Sequence, residues 1–103
     1  MINAQEYINK NYKDKAIKVL NISDKNLEGE LDLSEFVNLE EFYCSNNKLT
    51  NLKFSDEKKI TKLDIRDNMF PHKDLSFLGE FIGLETLKLG RKRTNLSYAV
   101  STI

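Results

Sequence analysis

The residues of this chain that could take part in catalysis are few and lie far apart. There is one cysteine, Cys44, and one histidine, His72. A Cys/His nucleophilic pair needs both side chains within hydrogen-bond reach, and a closed zinc site of the Cys/His type needs four ligands. Cys44 falls at a position predicted to face a core, whereas His72 follows the only proline in a predicted surface insertion. We therefore predict no catalytic residue and no metal site.

The residue spacing also argues against two other kinds of reactive site, a phosphate-binding loop and a pair of acid–base carboxylates. The four glycines stand at positions 29, 79, 83 and 90, too scattered to form a phosphate-binding loop. Neighbouring carboxylates such as Glu40 and Glu41 are typical of a solvated surface in a chain that is 31% charged, and no apolar surroundings would shift their pKa values toward acid–base work. The sequence predicts a protein that is not an enzyme and has no cofactor.

Length and charge limit the remaining function classes. The chain has 103 residues, enough for one small domain. Sixteen basic and sixteen acidic residues cancel, which is not the basic footprint of a nucleic-acid binder. The first residues contain no continuous apolar segment of signal-peptide type, and no apolar run approaches the length of a membrane span. We therefore predict a cytoplasmic protein with no nucleic-acid or membrane partner.

A periodic pattern of apolar and asparagine residues runs through most of the chain. Counted from Leu39, apolar residues stand at offsets 0, 3, 5, 10 and 13, and asparagine stands at offset 8. The same frame starts at Ile17, Ile60 and Leu84, so the starts are 22, 21 and 24 residues apart. Such a pattern, L-x-x-L-x-L-x-x-N-x-L with a period of roughly 20–29 residues, is that of the leucine-rich repeat.

Each unit of this pattern predicts one short strand. Side chains alternate along a strand, so Leu39, Phe42 and Cys44 are predicted to point inward and the residues between them outward. Neighbouring units would then stack as parallel strands. The segments 28–33 and 50–54 are too short for a long helix and are predicted to run as turns or extended chain on the convex side.

The asparagine at offset 8 stands where the chain must leave the strand. Its side chain can bond backbone groups of the turn that would otherwise be buried without partners. Asn47 and Asn68 are predicted to form such a ladder, whereas Lys25 and Lys92 take this position in the first and last units. Irregular terminal units are usual in repeat proteins.

The predicted fold class is an α/β solenoid with about four short parallel strands, a mostly non-helical convex side and an N-terminal capping helix. Asn3 followed by Glu6 approximates a capping box, and Ala4 and Ile8 fall on one helical stripe. An aspartate cap and a closing glycine predict one or two helical turns over 74–83. The predicted divisions are a capping helix at 1–16, repeats at 17–38, 39–59, 60–83 and a partial 84–89, and a tail at 90–103.

The stretch from Ile17 to Leu89 resembles a leucine-rich repeat protein. Its segments NLEGELDLS and LEEFYCSNNKLTNL are similar to repeat arrays of large fungal families, some of whose members carry kinase-like domains. The resemblance implies a curved solenoid that binds other macromolecules and has no activity or cofactor of its own. After LETLKLG the chain departs from the pattern. The alternative interpretation is therefore a truncated or regulatory fragment of a larger signalling protein of the kinase-like kind.

The outward positions of the strands predict a binding surface for a protein partner. Charges alternate in sign between neighbouring strands, so Glu41 is expected to pair with Lys62, and Asp64 with Lys88. Tyr43 lies at the centre, and tyrosine is enriched at interface hot spots, although a tyrosine among charged residues also serves to cover their aliphatic stems. The residues predicted to contact the partner are Tyr43, Glu41, Lys62, Asp64, Arg66 and Lys88.

The tail at 90–103 is basic and prone to β-structure. Arg91, Lys92 and Arg93 carry three positive charges, a cluster that we interpret as a solvated linker in preference to a nucleic-acid patch. The segment 97–103 is expected to cover the open strand at 84–89. An uncovered strand edge would favour self-association.

Overall fold

The first two repeat units each supply two extended segments, and like segments stack on like in neighbouring units. The computed structural model describes residues 1–56, 59–70, 83–89 and 98–99, the last pair by backbone alone. The elements in this part of the chain are β1 (Ile2–Asn3), α1 (Ala4–Asn11), β2 (Val19–Asn21), β3 (Leu27–Leu33), β4 (Glu41–Tyr43), β5 (Lys48–Phe54), β6 (Lys62–Asp64), β7 (Thr86–Lys88) and β8 (Tyr98–Ala99).

The strands form two sheets that face each other. Sheet A has the order β1-β3-β5, and all its pairs are parallel. Sheet B has the order β2-β4-β6-β7-β8, in which only the last pair is antiparallel. A β-solenoid of about three turns results, and each of its first two turns contributes one strand to each sheet. The predicted solenoid of parallel strands is confirmed.

The core lies between the two sheets and is made by the inward positions of the frame. In sheet B the residues Leu20, Phe42, Leu63 and Leu87 stack in register, and each is at most 8% exposed. Phe42 reaches across to Phe54 of sheet A, with ring centroids 5.9 Å apart and an edge-on angle of 76°. Stacked apolar side chains of this kind supply most of a solenoid's stability, since each turn contacts only its neighbours.

The segments after the short strands are more regular than the sequence predicts. Seven-residue strands β3 and β5 pair in parallel, where turns or extended chain were expected. Leu31 and Leu33 alternate with exposed residues, so a buried face and an exposed face arise. The register shifts between Gly29 and Glu30, and Gly29 has a φ of 92°, a left-handed conformation that suits glycine.

The N-terminus adds a strand and a helix to the same end of sheet A. β1 pairs with the beginning of β3. The side chain of Asn3 then accepts a hydrogen bond from the Glu6 N–H at 3.0 Å, the N-cap interaction that starts α1. Ala4 and Ile8 are fully buried, and α1 packs on β3 and β1.

No helix among the described residues is long and apolar enough to span a membrane. The expected helical turns at 74–83 fall, up to position 82, outside the described residues, as does the basic cluster at 91–93.

β8 lies antiparallel on β7 and pairs Ala99 with Thr86 and Tyr98 with Leu87. We expect deletion of residues 91–103 to increase oligomerisation, because the edge of β7 would then offer unpaired backbone groups to another chain. Analytical ultracentrifugation over a range of concentrations measures this effect, with a chain lacking only residues 102–103 as the control. An unchanged monomer mass for the longer deletion would contradict the prediction.

Candidate functional site

The outward side chains of sheet B form an ordered grid, called here the short-strand face. Because alternate residues of a strand share a face and the strands pair without a shift, the side chains fall into two rows. The first row is Val19, Glu41, Lys62 and Thr86, and the second is Asn21, Tyr43, Asp64 and Lys88. Arg66 follows β6 directly. All six residues predicted to contact a partner therefore lie on or beside this face.

A short hydrogen bond joins two of these residues on β4. The phenol of Tyr43 donates to Oε1 of Glu41 at 2.5 Å. This bond to a carboxylate, together with partial burial and the negative charges of Glu41 and Asp64, raises the pKa of Tyr43 to about 12. The phenol is therefore a fixed donor at neutral pH, and its ring is held over the strand.

A bidentate ion pair joins two residues at the end of β6. Nε and Nη2 of Arg66 donate to the two oxygens of Asp64 at 2.9 and 2.8 Å, and the Arg66 N–H also reaches Oδ1 at 3.2 Å. Asp64 is only 7% exposed. Its hydrogen bonds raise the pKa of the Arg66 guanidinium. Parallel N–H···O bonds of this kind fix both side chains more firmly than a single contact does.

The two lateral ion pairs expected between strands are not formed. Glu41 lies beside Lys62 and Asp64 beside Lys88 in register, but each carboxylate bonds the residue two positions further along the chain. Within the described part of the chain, the ammonium groups of Lys62 and Lys88 have no hydrogen bond or ion pair. The face thus combines two internally bonded carboxylates with two exposed cations.

The asparagine at offset 8 joins two turns of the solenoid. Nδ2 of Asn47 donates to the carbonyl of Cys44 in its own turn at 3.0 Å and to that of Ile22 in the preceding turn at 2.8 Å. Its Oδ1 accepts from the N–H groups of Lys25 and Leu27, also in the preceding turn. Nδ2 also lies 3.4 Å from the Ser45 carbonyl, so one buried side chain supplies partners to five backbone groups.

Asn68 repeats this arrangement one turn later. Its Nδ2 donates to Cys44 at 2.9 Å and to Ile65 at 3.2 Å, and its Oδ1 accepts from the Leu49 N–H at 3.0 Å. Each asparagine serves the turn before its own. In the described structure no solenoid turn precedes the first one, where Lys25 occupies offset 8.

A second set of turn residues, not predicted from the sequence, shares a special backbone conformation. Asp24, Asn46 and Asp67 stand at offset 7 of three units and adopt left-handed φ values of 58°, 57° and 54°. Asn and Asp tolerate this conformation better than other non-glycine residues. The restriction to Asn and Asp at one offset was the signal in the sequence. Asn46 also donates to Asp24 at 2.6 Å, so a side-chain hydrogen bond joins the first two of these turns.

The other reactive residues take little part in this site. Cys44 is fully buried, and burial raises the pKa of its thiol well above the ordinary value. His72 lies outside the described residues. Among the described residues, no group of three His, Cys, Asp or Glu side chains is placed to hold a metal ion.

The hydrogen bond from the Tyr43 phenol to Glu41 predicts that the stability of the fold depends on pH. Because the folded-state pKa of Tyr43 is about 12 and the ordinary value is about 10, the folded chain holds this proton more tightly than the unfolded one. Its contribution to stability is therefore complete below about pH 10 and is lost as the pH rises through the folded pKa. The difference between the ultraviolet titration curves of the chain and its Tyr43→Phe variant isolates this phenol. Glu41→Gln should lower the pH at the midpoint of the Tyr43 titration. A midpoint near about pH 10 in the unaltered chain, the ordinary value for tyrosine, would show that the hydrogen bond to Glu41 is not made.

Comparison with known proteins identifies no relative of this chain. No protein-family model, no curated protein and no solved structure matches it.

Proposed function

We propose that the chain is a leucine-rich repeat solenoid that acts as a non-enzymatic protein-interaction module, with the short-strand face as its binding surface. The repeat identity is supported by the coincidence of three features in one frame: inward apolar residues, parallel strands, and an asparagine that bonds two turns. Helix α1 serves as the N-terminal cap in this proposal, since its buried residues Ala4 and Ile8 close one end of the core.

One observation carries the binding proposal. Glu41 and Asp64 are held by Tyr43 and Arg66, so the centre of the face has a fixed arrangement before any partner arrives. Preorganised side chains lose less conformational entropy on binding than mobile ones do. Tyr43 and Arg66, both half-buried, are also of the residue types enriched at interface centres.

The size of the face limits the affinity. Three strand spacings of about 4.8 Å and six residues of about 3.3 Å give an area on the order of 300 Å². A stable interface covers about 800 Å² on each partner. We therefore expect weak binding by the face alone, and tighter binding where further contacts from the same chain or from a longer array add to it.

Tyr43→Ala is expected to weaken partner binding by about tenfold or more, because it removes the aromatic centre and releases Glu41. A photoreactive amino acid at Lys62 would first capture the partner in a cell extract, and the purified partner would then be titrated against both chains. Lys53→Ala, on the outward side of sheet A, is the matched control. Equal affinities of the two variants would place the binding surface elsewhere.

A further inference from the structure

β2 is the outer strand of sheet B in the described structure, and half of its backbone N–H and C=O groups have no partner there. β4 is the one neighbouring strand among the described residues. The carbonyl of Lys18 accepts from the Glu41 N–H at 3.0 Å, and the Ile22 N–H donates to the Tyr43 carbonyl at 2.8 Å. In a parallel pair, alternate residues bond the same neighbour. Even-numbered residues of this strand therefore bond β4, and the N–H and C=O groups of Val19 and Asn21 are directed away from the sheet.

This edge is exposed in the described structure, whereas two comparable strand edges are covered. β1 lies on the corresponding side of β3, and β8 lies on β7 at the far end of sheet B. Val19, the first residue of β2, is 51% exposed, although valine is usually buried. The next outward N–H, that of Ser23, already bonds Oδ1 of Asn21 at 3.0 Å. The open edge is thus two residues long.

The segment that leads into β2 is positively charged. Between positions 10 and 18 there are four lysines and one acidic residue, Asp14. Lys18 approaches Glu40 only at 3.9 Å, whereas Lys15 also donates to the Tyr12 carbonyl at 3.0 Å. The side chains of Lys10 and Lys13 have no hydrogen bond or ion pair in the described structure. Two copies paired through β2 would bring two such segments together, which charge repulsion opposes. An acidic segment is attracted instead.

We propose that the edge of β2 binds an acidic, extended segment of a partner protein, which adds to sheet B as a further strand. Backbone groups of Val19 and Asn21 supply the hydrogen bonds, the exposed side chain of Val19 packs against an apolar residue of the added strand, and the lysines between 10 and 18 select for acidic residues. This site goes beyond the proposed function, because it uses the strand edge and not the centre of the short-strand face.

A seven-residue peptide of alternating glutamate and valine, blocked at both ends, is the probe, and its lysine–valine analogue is the charge control. The readout is amide hydrogen exchange by NMR on the full chain. We expect the acidic peptide to slow exchange at Val19 and Asn21 by about tenfold, and added salt to reduce the effect. No protection at these two amides, or equal protection by the lysine peptide, would overturn the proposal. So would protection that grows with protein concentration without peptide, which would indicate a second copy as the occupant.

Four variants locate the effect. Val19→Pro removes an N–H that β4 does not use, and proline is tolerated on edge strands; it should abolish protection at Asn21, whereas Val19→Thr should retain it. Lys13→Glu leaves the strand unchanged and should weaken peptide binding several-fold, which keeps the proposal testable if the proline variant does not fold. Tyr43→Ala should bind the peptide normally, so failure at this edge is distinguishable from failure of the binding face. Peptide binding unaffected by both Val19→Pro and Lys13→Glu would overturn the proposal.

Discussion

Leu63→Ala is expected to lower the free energy of unfolding by about 2–5 kcal/mol, the range for a fully buried leucine. Leu63 is 0% exposed and lies in register between Phe42 and Leu87. A truncated side chain at this position removes contacts to the turns on both sides, and a solenoid has no distant contacts to compensate. Small domains have a total stability of roughly 5–15 kcal/mol, so much of it depends on this one residue.

Urea denaturation followed by circular dichroism measures the loss for Leu63→Ala. Lys62→Ala, one position earlier on the exposed face of the same strand, is the control and should change stability by no more than about 0.5 kcal/mol. A loss confined to Lys62→Ala would mean that the inward and outward positions of β6 are reversed. A smaller slope of unfolding free energy against urea in Leu63→Ala would indicate that the turns no longer unfold together.

The repeat frame allowed burial to be predicted because three units constrain the same offsets. Leu39, Phe42 and Cys44 were assigned inward from their spacing, and all are at most 3% exposed. A single unit would not have sufficed, since apolar residues at offsets 0, 3 and 5 also suit one side of a helix. Successive units agree at spacings of 22, 21 and 24 residues. Because such a period is too short for helical repeats, the pattern predicted strands and not helices.

The second sheet was not predicted, although its residues alternate. In β3, Leu31 and Leu33 are buried and Asp32 is exposed, which is the pattern of a strand. Whether such a segment pairs depends on the segment one turn later, and β5 pairs with β3 on both sides of a register shift between Gly29 and Glu30, where Thr50 of β5 is an extra residue. That shift compensates a difference between units that composition does not reveal. The strand β1 was not predicted either, because a strand of two residues is too short to show a periodic pattern.

On the short-strand face, neighbours were predictable but bonds were not. Register placed Glu41 beside Lys62, as expected from the frame. The hydrogen bond nevertheless goes to Tyr43, because a partner two residues away on the same strand is held at a fixed distance, whereas a long lysine must lose its rotamer freedom to pair. Such choices depend on side-chain geometry, which a sequence pattern does not contain.

Asn47→Asp is expected to destabilise the chain by about 3 kcal/mol or more at neutral pH, although the side chain keeps its size. The amide of Asn47 donates to the carbonyls of Ile22 and Cys44 and accepts from the Lys25 and Leu27 N–H groups. A carboxylate can only accept, so both carbonyls would lose their donor beside a buried charge, and each unpaired buried group costs about 1–3 kcal/mol. Urea denaturation at several pH values measures the loss.

The pH dependence of Asn47→Asp separates the donor role from simple packing. Burial raises the pKa of the introduced carboxyl in the folded chain, so the folded state binds the proton more tightly than the unfolded state. The deficit relative to the unaltered chain should therefore shrink as the pH falls toward about 4, where the protonated carboxyl donates one bond. Asn51→Ala, at an exposed position of β5, should be nearly neutral at every pH. A pH-independent deficit for Asn47→Asp would show that the side chain fills space in the turn without joining the two turns.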